Sequence, residues 1–225
     1  MSYVVTIDGP AGAGKSSAAR ALAKSLGVHY LDTGAIYRAI ALMLDESEIN
    51  INQPDLISEA LRDIKIELKD GAVLVNGIDV SGEIRTPHID KIASEYSALT
   101  CVRDALLNLQ QEQQNFGSLI AEGRDVGSTV FPDAAVKFYL TASPEARAKR
   151  RCLERELKGE KVNYQETLQA IEARDKFDSS RAASPLKVPA GAIVIDTSAL
   201  TERETVNLLE SHVKSILNIK TSGEC

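Results

Sequence analysis

Several features that mark secreted, membrane or nucleic-acid-binding proteins are missing from this chain. It has no tryptophan and only three cysteines, which are scattered without a C-x-x-C pair, and its three histidines lack metal-ligand spacing. This pattern favours reduced thiols over a disulfide framework or a zinc site. There is no basic N-terminal segment leading into an apolar run, and no apolar window of membrane-spanning length. The formal net charge of −6 argues against a nucleic acid backbone as the main partner.

We therefore expect a soluble, cytoplasmic monomer without a nucleic acid or membrane partner. Its 225 residues suit one large domain or one domain with inserts, and 44% apolar residues are compatible with an ordinary α/β core. Apolar strand candidates alternate with helical stretches and fall at 3–7, 28–31, 119–121, 136–140 and 192–195. This alternation predicts a parallel β-sheet flanked by helices. Ligands bind such sheets beyond the carboxyl ends of the strands, so the active residues should follow strands.

A glycine-rich segment follows the first strand candidate. Residues 9–16 read G-P-A-G-A-G-K-S, which matches the spacing G-x-x-x-x-G-K-[ST] of a phosphate-binding loop. A helix is predicted at 17–26, with Gly27 as its C-cap. Inward-turned N–H groups and the helix dipole would favour phosphates there, with Lys15 at the β- and γ-phosphates and Ser16 on Mg²⁺. An ordinary glycine turn is the alternative interpretation. The residues predicted to bind the nucleotide are Gly9, Pro10, Ala11, Gly12, Ala13, Gly14, Lys15, Ser16 and Ser17.

One segment breaks the alternation of strands and helices. Residues 64–68 alternate apolar and polar positions, a D-G turn follows, and 72–85 continues the pattern. This predicts a small antiparallel β insert at 62–90, within a core formed by 1–61 and 91–225. The insert is either a decorative hairpin or a lobe that covers the substrate. We favour the lobe because phosphoryl transfer benefits from the exclusion of water.

Arginines with helical spacing occupy a later segment. Arg147, Arg151 and Arg155 fall on one face of a helix that should have Pro144 in its first turn. They form either a solvated face paired with neighbouring glutamates or a short helical lid at about 147–164. In a lid, their cations would neutralise charge on the transferring phosphoryl group.

Two further segments carry arginines beside carboxylates. Arg124 lies in a Gly-Arg-Asp sequence just past the strand candidate 119–121, at the edge where ligands are expected. Arg174, Asp178 and Arg181 fall at i, i+4 and i+7, so one helical face would present two guanidiniums and a carboxylate. Spacing alone leaves a structural ion-pair cluster and a ligand site both open.

Four further strings occur in order with the phosphate loop. They are D-T-G-A-I-Y-R at 32–38, D-V-S-G-E-I-R at 79–85, G-R-D-V-G at 123–127 and R-D-x-x-D-x-x-R at 174–181. Together they resemble the bacterial cytidylate kinases, which are P-loop nucleoside monophosphate kinases, over nearly the whole chain. The resemblance implies transfer of the γ-phosphoryl group of ATP to CMP or dCMP, with Mg²⁺. It also implies that the insert at 62–90 binds the nucleoside monophosphate and that 147–164 forms a lid.

The resemblance implies roles at the phosphates and the ribose. Arg38 and Arg124 would hold the acceptor phosphate, since a guanidinium suits bidentate contacts. The implied catalytic residues are Lys15, Arg124, Arg151 and Arg155. The residues implied to contact the ribose are Ser94, Arg174 and Asp178. We assign no general base, because an acceptor phosphate oxygen is already ionised near neutral pH.

The resemblance also implies a set of partners for the cytosine base. Thr33 and Asp125 would accept hydrogen bonds from the 4-amino group, and the family often has serine at the first of these positions. Arg103 and Arg181 would donate to N3 and O2. Uracil reverses the hydrogen-bonding character at positions 4 and 3, which would leave buried groups unpaired at a cost of about 1–3 kcal/mol each.

Other functions are compatible with a phosphate loop. A kinase for another small acceptor, such as UMP, AMP or shikimate, is the nearest alternative. A nucleotide-driven switch or ATPase is another, although the chain has neither the N-K-x-D motif of a GTPase nor an apolar strand ending in Asp-Glu. A third alternative, a non-catalytic nucleotide-binding module, would not need both Lys15 and Ser16.

Overall fold

The computed structural model describes residues 2–69, 71–157, 159–181 and 183–219. The C-terminal tail at 220–225, Asp70 of the expected turn and Lys158 of the expected lid lie outside these residues. In the described residues no helix has the length and apolar character needed to cross a membrane.

The strands form two sheets. Across the described residues they are β1 (Val4–Asp8), β2 (His29–Asp32), β3 (Ile66–Lys69), β4 (Ala72–Val75), β5 (Ile78–Asp79), β6 (Leu119–Gly123), β7 (Val136–Thr141) and β8 (Ile193–Asp196). The larger sheet has the order β2-β6-β1-β7-β8, with β1 parallel to both β6 and β7, and β7 parallel to β8. The smaller sheet has the order β3-β4-β5 and is antiparallel.

The helices cover most of the remaining chain. In the described residues they are α1 (Lys15–Leu26), α2 (Thr33–Glu46), α3 (Pro54–Asp63), α4 (Pro87–Tyr96), α5 (Thr100–Glu112), α6 (Pro144–Leu157), α7 (Tyr164–Ser180) and α8 (Glu202–Leu217). Short turns of other helix types occur at Glu83–Arg85, Gln113–Phe116 and Val126–Val130.

The described residues divide into two compact units. The first unit takes those within Met1–Leu31, Gln114–Arg181 and Pro185–Cys225, and the second takes those within Asp32–Gln113 and Ala182–Ser184. The first unit therefore contains the parallel sheet, except for the last residue of β2, together with α1, α6, α7 and α8. The second contains the antiparallel sheet and α2 to α5.

The core of the first unit lies between its sheet and the helices α1 and α8. Ile7, Ile120 and Phe138 on the sheet are fully buried together with Leu22 of α1 and Leu209 of α8. Full burial of an aliphatic or aromatic side chain of this size contributes about 1.5–3 kcal/mol. β1 and β6 are buried along most of their length, as expected for inner strands of a parallel sheet, whereas burial alternates along β7.

The register of the parallel sheet determines which loops emerge side by side. Asp8 at the end of β1 pairs with Gly123 of β6 and with Tyr139 of β7. Thr141, at the end of β7, pairs with Asp196 of β8. The segments that follow these four strands therefore leave the sheet at one edge, which is where ligands bind in parallel α/β folds.

The predicted fold class is confirmed, because the chain has a parallel sheet flanked by helices and a small antiparallel sheet. The antiparallel strands lie inside the predicted insert at 62–90. The strand pattern expected to continue to residue 85 ends earlier, since β5 stops at Asp79 and a 3₁₀ turn occupies Glu83–Arg85. The exact domain bounds and the lid stay predictions.

The helix after the phosphate loop begins earlier than the sequence indicated. Gly14 takes the left-handed conformation, with φ of 86°, and is the N-cap, so α1 starts at Lys15 instead of Ser17. Lys15 and Ser16 are therefore the first residues of the helix. The predicted C-cap is confirmed, since Gly27 is left-handed with φ of 65°.

Candidate active site

The phosphate loop of the first unit runs from the end of β1 to the start of α1. Lys15 is buried, and its Nζ donates a hydrogen bond to the carbonyl oxygen of Pro10 at 3.0 Å. Burial, followed by the nearby Arg124, lowers the pKa of Lys15, while Glu122 opposes that change. An anionic phosphate near this ammonium would offset its desolvation. The loop thus holds a buried cation at the N-terminus of a helix, where anions are favoured.

A carboxylate meets the hydroxyl of Ser16. Ser16 Oγ donates to Oε1 of Glu122 at 2.6 Å, and the Tyr30 hydroxyl donates to the same oxygen at 3.3 Å. Glu122 is a buried residue of β6. Mg²⁺ prefers oxygen ligands and is usually held by one or two protein side chains together with phosphates and water. The hydroxyl and carboxylate present here fit that ion.

Asp8, the last residue of β1, joins the phosphate loop to the segment that follows β6. Its Oδ1 accepts from the N–H of Val126 and its Oδ2 from the N–H of Gly127, both at 2.8 Å. Burial raises the pKa of Asp8 to about 6, although the two N–H groups act in the opposite direction. A single buried carboxylate therefore fixes the start of the turn at Val126–Val130.

We expect the stability of the parent relative to Asp8→Asn to fall as the pH rises from about 4 to about 7. Asp8 takes up a proton at higher pH in the folded chain than in the unfolded chain, because its folded pKa is raised to about 6. Its contribution is therefore fully present below about pH 4 and is lost as the pH rises through about 6. Urea unfolding at several pH values should show that this difference in unfolding free energy changes by about 2–3 kcal/mol over the range. Exposed Asp133 provides the control Asp133→Asn, and equal pH profiles for the parent and Asp8→Asn would contradict the expectation.

Arg124 belongs to an ion-pair cluster around Asp178. Its Nη1 donates to the carbonyl oxygen of Gly9 at 2.6 Å, and its Nε lies 3.2 Å from Oδ2 of Asp178. Asp178 is 1% exposed, and its Oδ1 is 2.9 Å from Nη2 of Arg181. Arg174 Nε lies 3.9 Å from Oδ2. Three arginines that were predicted to bind substrate therefore surround the carboxylate of Asp178. These contacts form an ion-pair cluster, which residue spacing alone leaves open beside a ligand site.

The prediction that Arg174, Asp178 and Arg181 share one face of a helix is only partly correct. Helix α7 ends at Ser180, and Arg181 follows it as the C-cap residue in an extended conformation. Arg174 and Asp178 are on the helix, whereas Arg181 reaches Asp178 from the chain just beyond the helix end.

Asp125 lies directly after Arg124 and is buried. Its carbonyl oxygen accepts from the N–H groups of Ser128 and Thr129 at 3.2 and 2.8 Å. These bonds close the turn whose other side is held by Asp8. The peptide unit that follows Asp125 is consequently held at both its carbonyl oxygen and its N–H group.

The remaining predicted substrate residues lie in the second unit. Thr33 is the buried first residue of α2, which Asp32 caps by accepting from the N–H of Ala35 at 2.9 Å. Arg38, one turn further along, has its Nε 2.9 Å from Oδ1 of Asp90. Its Nη1 lies 3.9 Å from Oδ2 of Asp32. The guanidinium of Arg38 is therefore held by carboxylates on both sides.

Arg103 and Ser94 lie near each other in the second unit. Arg103 is buried on α5, donates to the carbonyl oxygen of Ser97 at 3.1 Å and has its guanidinium carbon 5.6 Å from the ring centre of Tyr37. Ser97 Oγ donates to the carbonyl oxygen of Ser94 at 3.0 Å. Arg103 is held by a backbone acceptor and an aromatic face, which restricts its position.

The arginines expected on one face of α6 have different environments. Arg151 pairs with Glu154 at 3.2 Å and Arg155 pairs with Glu160 at 2.7 Å, as the surface-pair interpretation expected. Arg147 does not share their exposure, because it is buried against the phosphate loop and α7. Helical spacing could not reveal this difference, since it depends on which element packs against the first turn of α6.

Sequence reasoning singled out neither Asp8 nor Thr197, although both contact the phosphate loop or the segment beside it. Glu122, which meets Ser16, precedes Arg124 in the segment to which the strand-end rule pointed, but it was given no role. Asp8 is the last residue of β1, and Thr197 directly follows β8. The strand-end rule that pointed to Arg124 could therefore have identified Asp8 and Thr197 as well.

The parallel sheet, the strand–loop–helix connection and the Lys15–Ser16 pair together define a P-loop nucleotide-binding protein. Residues 5–215 match the family described as cytidylate kinase. The chain is 44% identical to the cytidylate kinase of Caldanaerobacter subterraneus subsp. tengcongensis over 100% of this chain and 98% of that protein. It is also 44% identical to the cytidylate kinase of Thermosipho melanesiensis over 95% of this chain and 98% of that protein. The chain belongs to the cytidylate kinase family and is therefore a phosphotransferase.

A solved structure agrees with the fold. The structure of an uncharacterized protein from Eubacterium ventriosum matches with a TM-score of 0.53 at 12% identity, and the match covers 96% of this chain and 99% of that chain. At this level of identity the likeness concerns the fold alone.

Proposed function

We propose that this chain transfers the γ-phosphoryl group of ATP to CMP or dCMP, giving CDP or dCDP and ADP, in pyrimidine nucleotide metabolism. An oxygen of the acceptor phosphate attacks the γ-phosphorus, and the bond to the β–γ bridging oxygen breaks as ADP leaves. The observation that carries the proposal is the phosphate loop with its buried Lys15, in a chain that matches the cytidylate kinase family over residues 5–215.

The donor would bind at the phosphate loop of the first unit. Backbone N–H groups of the loop would contact the phosphates, and Lys15 would stabilise charge on the transferring group. Ser16 and Glu122 would hold Mg²⁺, supported by their contact at 2.6 Å. When bound, the ion would neutralise phosphate charge and orient the donor.

The acceptor phosphate would bind to Arg38 and Arg124. Each guanidinium is held by carboxylates of its own unit, at distances of 2.9 and 3.2 Å for the closest contacts. A guanidinium fixed in this way loses less conformational entropy when it binds phosphate. Its planar fork also suits phosphate oxygens.

The base and the ribose would bind to residues whose positions the structure restricts. Thr33 and Asp125 would accept from the cytosine 4-amino group, and both are buried. Arg103 and Arg181, which are also buried, would donate to N3 and O2. The residues proposed to contact the ribose are Ser94, Arg174 and Asp178. Burial of these groups would make a mismatched base unfavourable, because polar groups would remain unpaired.

Arg151 and Arg155 would neutralise charge on the transferring group from a lid at about 147–164. Their pairs with Glu154 and Glu160 are partly exposed, so exchanging a carboxylate for a phosphate has a small energetic cost. The insert at 62–90 would cover the nucleoside monophosphate. Both elements would exclude water during transfer.

We also propose that the chain acts as a monomer in the cytoplasm, on small-molecule nucleotides and not on nucleic acids or membranes. The net charge of −6 supports this, since a nucleic acid or anionic membrane surface would attract a basic protein. The free thiols of Cys101 and Cys152 support a reducing compartment.

A coupled assay of ATP consumption with CMP, dCMP, UMP and AMP tests the proposed acceptor. We expect kcat/KM for CMP to exceed that for UMP by at least about 10²-fold, since two hydrogen-bonding positions of the base are reversed. Asp125→Ala should reduce this ratio to below about 10 and leave the KM for ATP within about twofold. Melting temperatures and ADP binding check that the variant is folded.

Three results would contradict the proposal. Equal activity of the parent with UMP and CMP would remove the base assignment. An unchanged ratio in folded Asp125→Ala would remove the role of that residue. Rapid ATP hydrolysis without any acceptor would favour a nucleotide-driven switch or ATPase.

A further inference from the structure

Three successive carbonyl oxygens of the phosphate loop are held by side chains from other elements of the first unit. Arg147 Nη1 donates to the oxygen of Ala11 at 3.2 Å, and Thr197 Oγ1 donates to the oxygen of Ala13 at 3.0 Å. Arg150 Nη1 lies 3.5 Å from the oxygen of Gly12, between the other two. The two arginines come from α6, and Thr197 follows β8.

The remaining carbonyl oxygens of the loop also have partners. The oxygen of Gly9 accepts from Arg124, and that of Pro10 accepts from Lys15. The oxygen of Gly14 accepts from the N–H of Ala18 in the first turn of α1. All six carbonyl groups from Gly9 to Gly14 are therefore directed to donors of the protein. A peptide plane whose oxygen is held on one side presents its N–H group on the other, which is the arrangement that an anion needs. The oxygens of Ala11 and Ala13 share their planes with the N–H groups of Gly12 and Gly14, whereas the N–H of Ala13 donates to the oxygen of Pro10 at 3.4 Å.

The hydroxyl of Thr197 can donate one hydrogen bond, and its surroundings indicate which oxygen accepts it. Its Oγ1 accepts from Arg150 at 3.1 Å, and the oxygen of Thr141 lies 3.1 Å from the hydroxyl. That second oxygen already accepts from the N–H of Thr197 at 2.8 Å. The carbonyl oxygen of Ala13 is therefore the better acceptor for the proton.

Arg147 is itself held in place. Its Nε donates to the oxygen of Ala142 at 2.9 Å, and both Nη groups contact the carboxylate of Asp175 at 3.0 and 2.5 Å. A Cβ added at Gly12 would lie 3.1 Å from the Cβ of Arg147, so the loop and the arginine are in close contact. The guanidinium has little freedom to release the oxygen of Ala11.

We propose that Thr197 and Arg147 are positioning residues for the donor nucleotide: they hold the carbonyl oxygens of Ala13 and Ala11 so that the neighbouring N–H groups face its phosphates. The inference rests on the proposed function for the identity of the donor as ATP. Neither residue need touch the nucleotide, because each acts through the backbone of the loop. Their loss should weaken binding of a di- or triphosphate without affecting the acceptor.

Thr197→Val tests the inference, because valine keeps the shape of the side chain and removes the hydroxyl. We expect Kd for Mg²⁺–ADP, measured by titration calorimetry, to rise about 5–10-fold, while KM for CMP stays within about twofold. Thr197→Ser retains the hydroxyl and should restore binding to within about twofold of the parent. The matched control is Thr205→Val. Thr205 is 4% exposed, compared with 2% for Thr197, and its hydroxyl donates to the oxygen of Thr201, the N-cap residue of α8.

The outcomes separate a positioning role from a structural one. If Thr197→Val lowers the melting temperature as Thr205→Val does but leaves Kd for ADP unchanged, the inference is wrong. An equal weakening of ADP binding by Thr205→Val, or no rescue by Thr197→Ser, would overturn it too. Binding of ADP is measured without an acceptor. A parent protein that binds ADP but phosphorylates no cytidylate would therefore contradict the proposed acceptor alone, whereas a parent that does not bind ADP would overturn both proposals.

Discussion

Replacement of Lys15 by methionine should lower kcat by about 10³-fold or more and leave the protein folded. Mutational losses of this size are typical when a buried group that stabilises transition-state charge is removed. Methionine is similar to the lysine stem in length and flexibility, so the packing around it is retained. The interaction lost would be the proposed one between the ammonium and the phosphates, together with the hydrogen bond from Nζ to the oxygen of Pro10 at 3.0 Å.

The same change should not lower the melting temperature. Burial and the neighbouring Arg124 lower the pKa of Lys15, which means that the charged form is destabilised in the folded chain. Removal of this charge relieves the desolvation penalty, so Lys15→Met should melt at or above the temperature of the parent. A loss of activity together with unchanged or increased stability is the expected signature of a residue kept for function.

Lys24→Met provides the matched control for this prediction. Lys24 lies in the last turn of the same helix and is exposed. We expect kcat within about twofold of the parent and a small loss of stability, because a cation near a helix C-terminus contributes about 0.3–1 kcal/mol. Steady-state kinetics and thermal melting measure both variants. If Lys15→Met retained a tenth of the parent's kcat, the role assigned to the ammonium would be wrong.

Gly9→Ala should destabilise the protein by about 4 kcal/mol or more. A Cβ at this position would lie 1.9 Å from the carbonyl oxygen of Leu140, which is a backbone atom of β7 and cannot rotate away. The backbone at Gly9 also has φ of 145°, a conformation that residues with a side chain rarely adopt. Relief of the clash would separate β1 from β7, which are paired in the middle of the parallel sheet.

Gly27→Ala separates the effect of the clash from that of the backbone conformation. Gly27 also has a positive φ, of 65°, but a Cβ there meets nothing within 4 Å. We expect this control to lose about 1–2 kcal/mol, the cost of a left-handed conformation for a residue with a Cβ. Urea unfolding of both variants gives the comparison. Similar losses of unfolding free energy in Gly9→Ala and Gly27→Ala would show that a clash with Leu140 does not exclude a side chain at position 9.

Local features of the chain were predicted well because they depend on neighbouring residues. The connection from β1 through the phosphate loop to α1, the C-cap at Gly27 and the helix beginning at Pro144 all follow from short-range steric and hydrogen-bonding rules. The exact ends of elements were less accurate. The strand expected at 119–121 continues to Gly123, because its pairing with β1 extends beyond the apolar residues.

Helical spacing could not decide which arginines are buried and which form pairs at the surface. Arg147 and Arg151 are one helical turn apart, yet the first is buried against the phosphate loop and the second pairs with Glu154 at the surface. Arg181 reaches Asp178 from beyond the end of α7. Each outcome depends on the element that packs nearby, which periodicity along one helix does not describe.

The amino-acid sequence by itself determined the class of fold, the phosphate loop and the family. These features can be recognised from local residue spacing and from short motifs that follow strands. The tertiary structure alone decided which donors hold the backbone of that loop. Thr197 lies 184 positions along the chain from Ala13, the residue whose oxygen it contacts. Only the parallel pairing of strands brings the ends of β1 and β8 to the same edge of the sheet. A hydrogen bond between such distant residues has no signature in local sequence, because its geometry is set by the packing of the whole sheet.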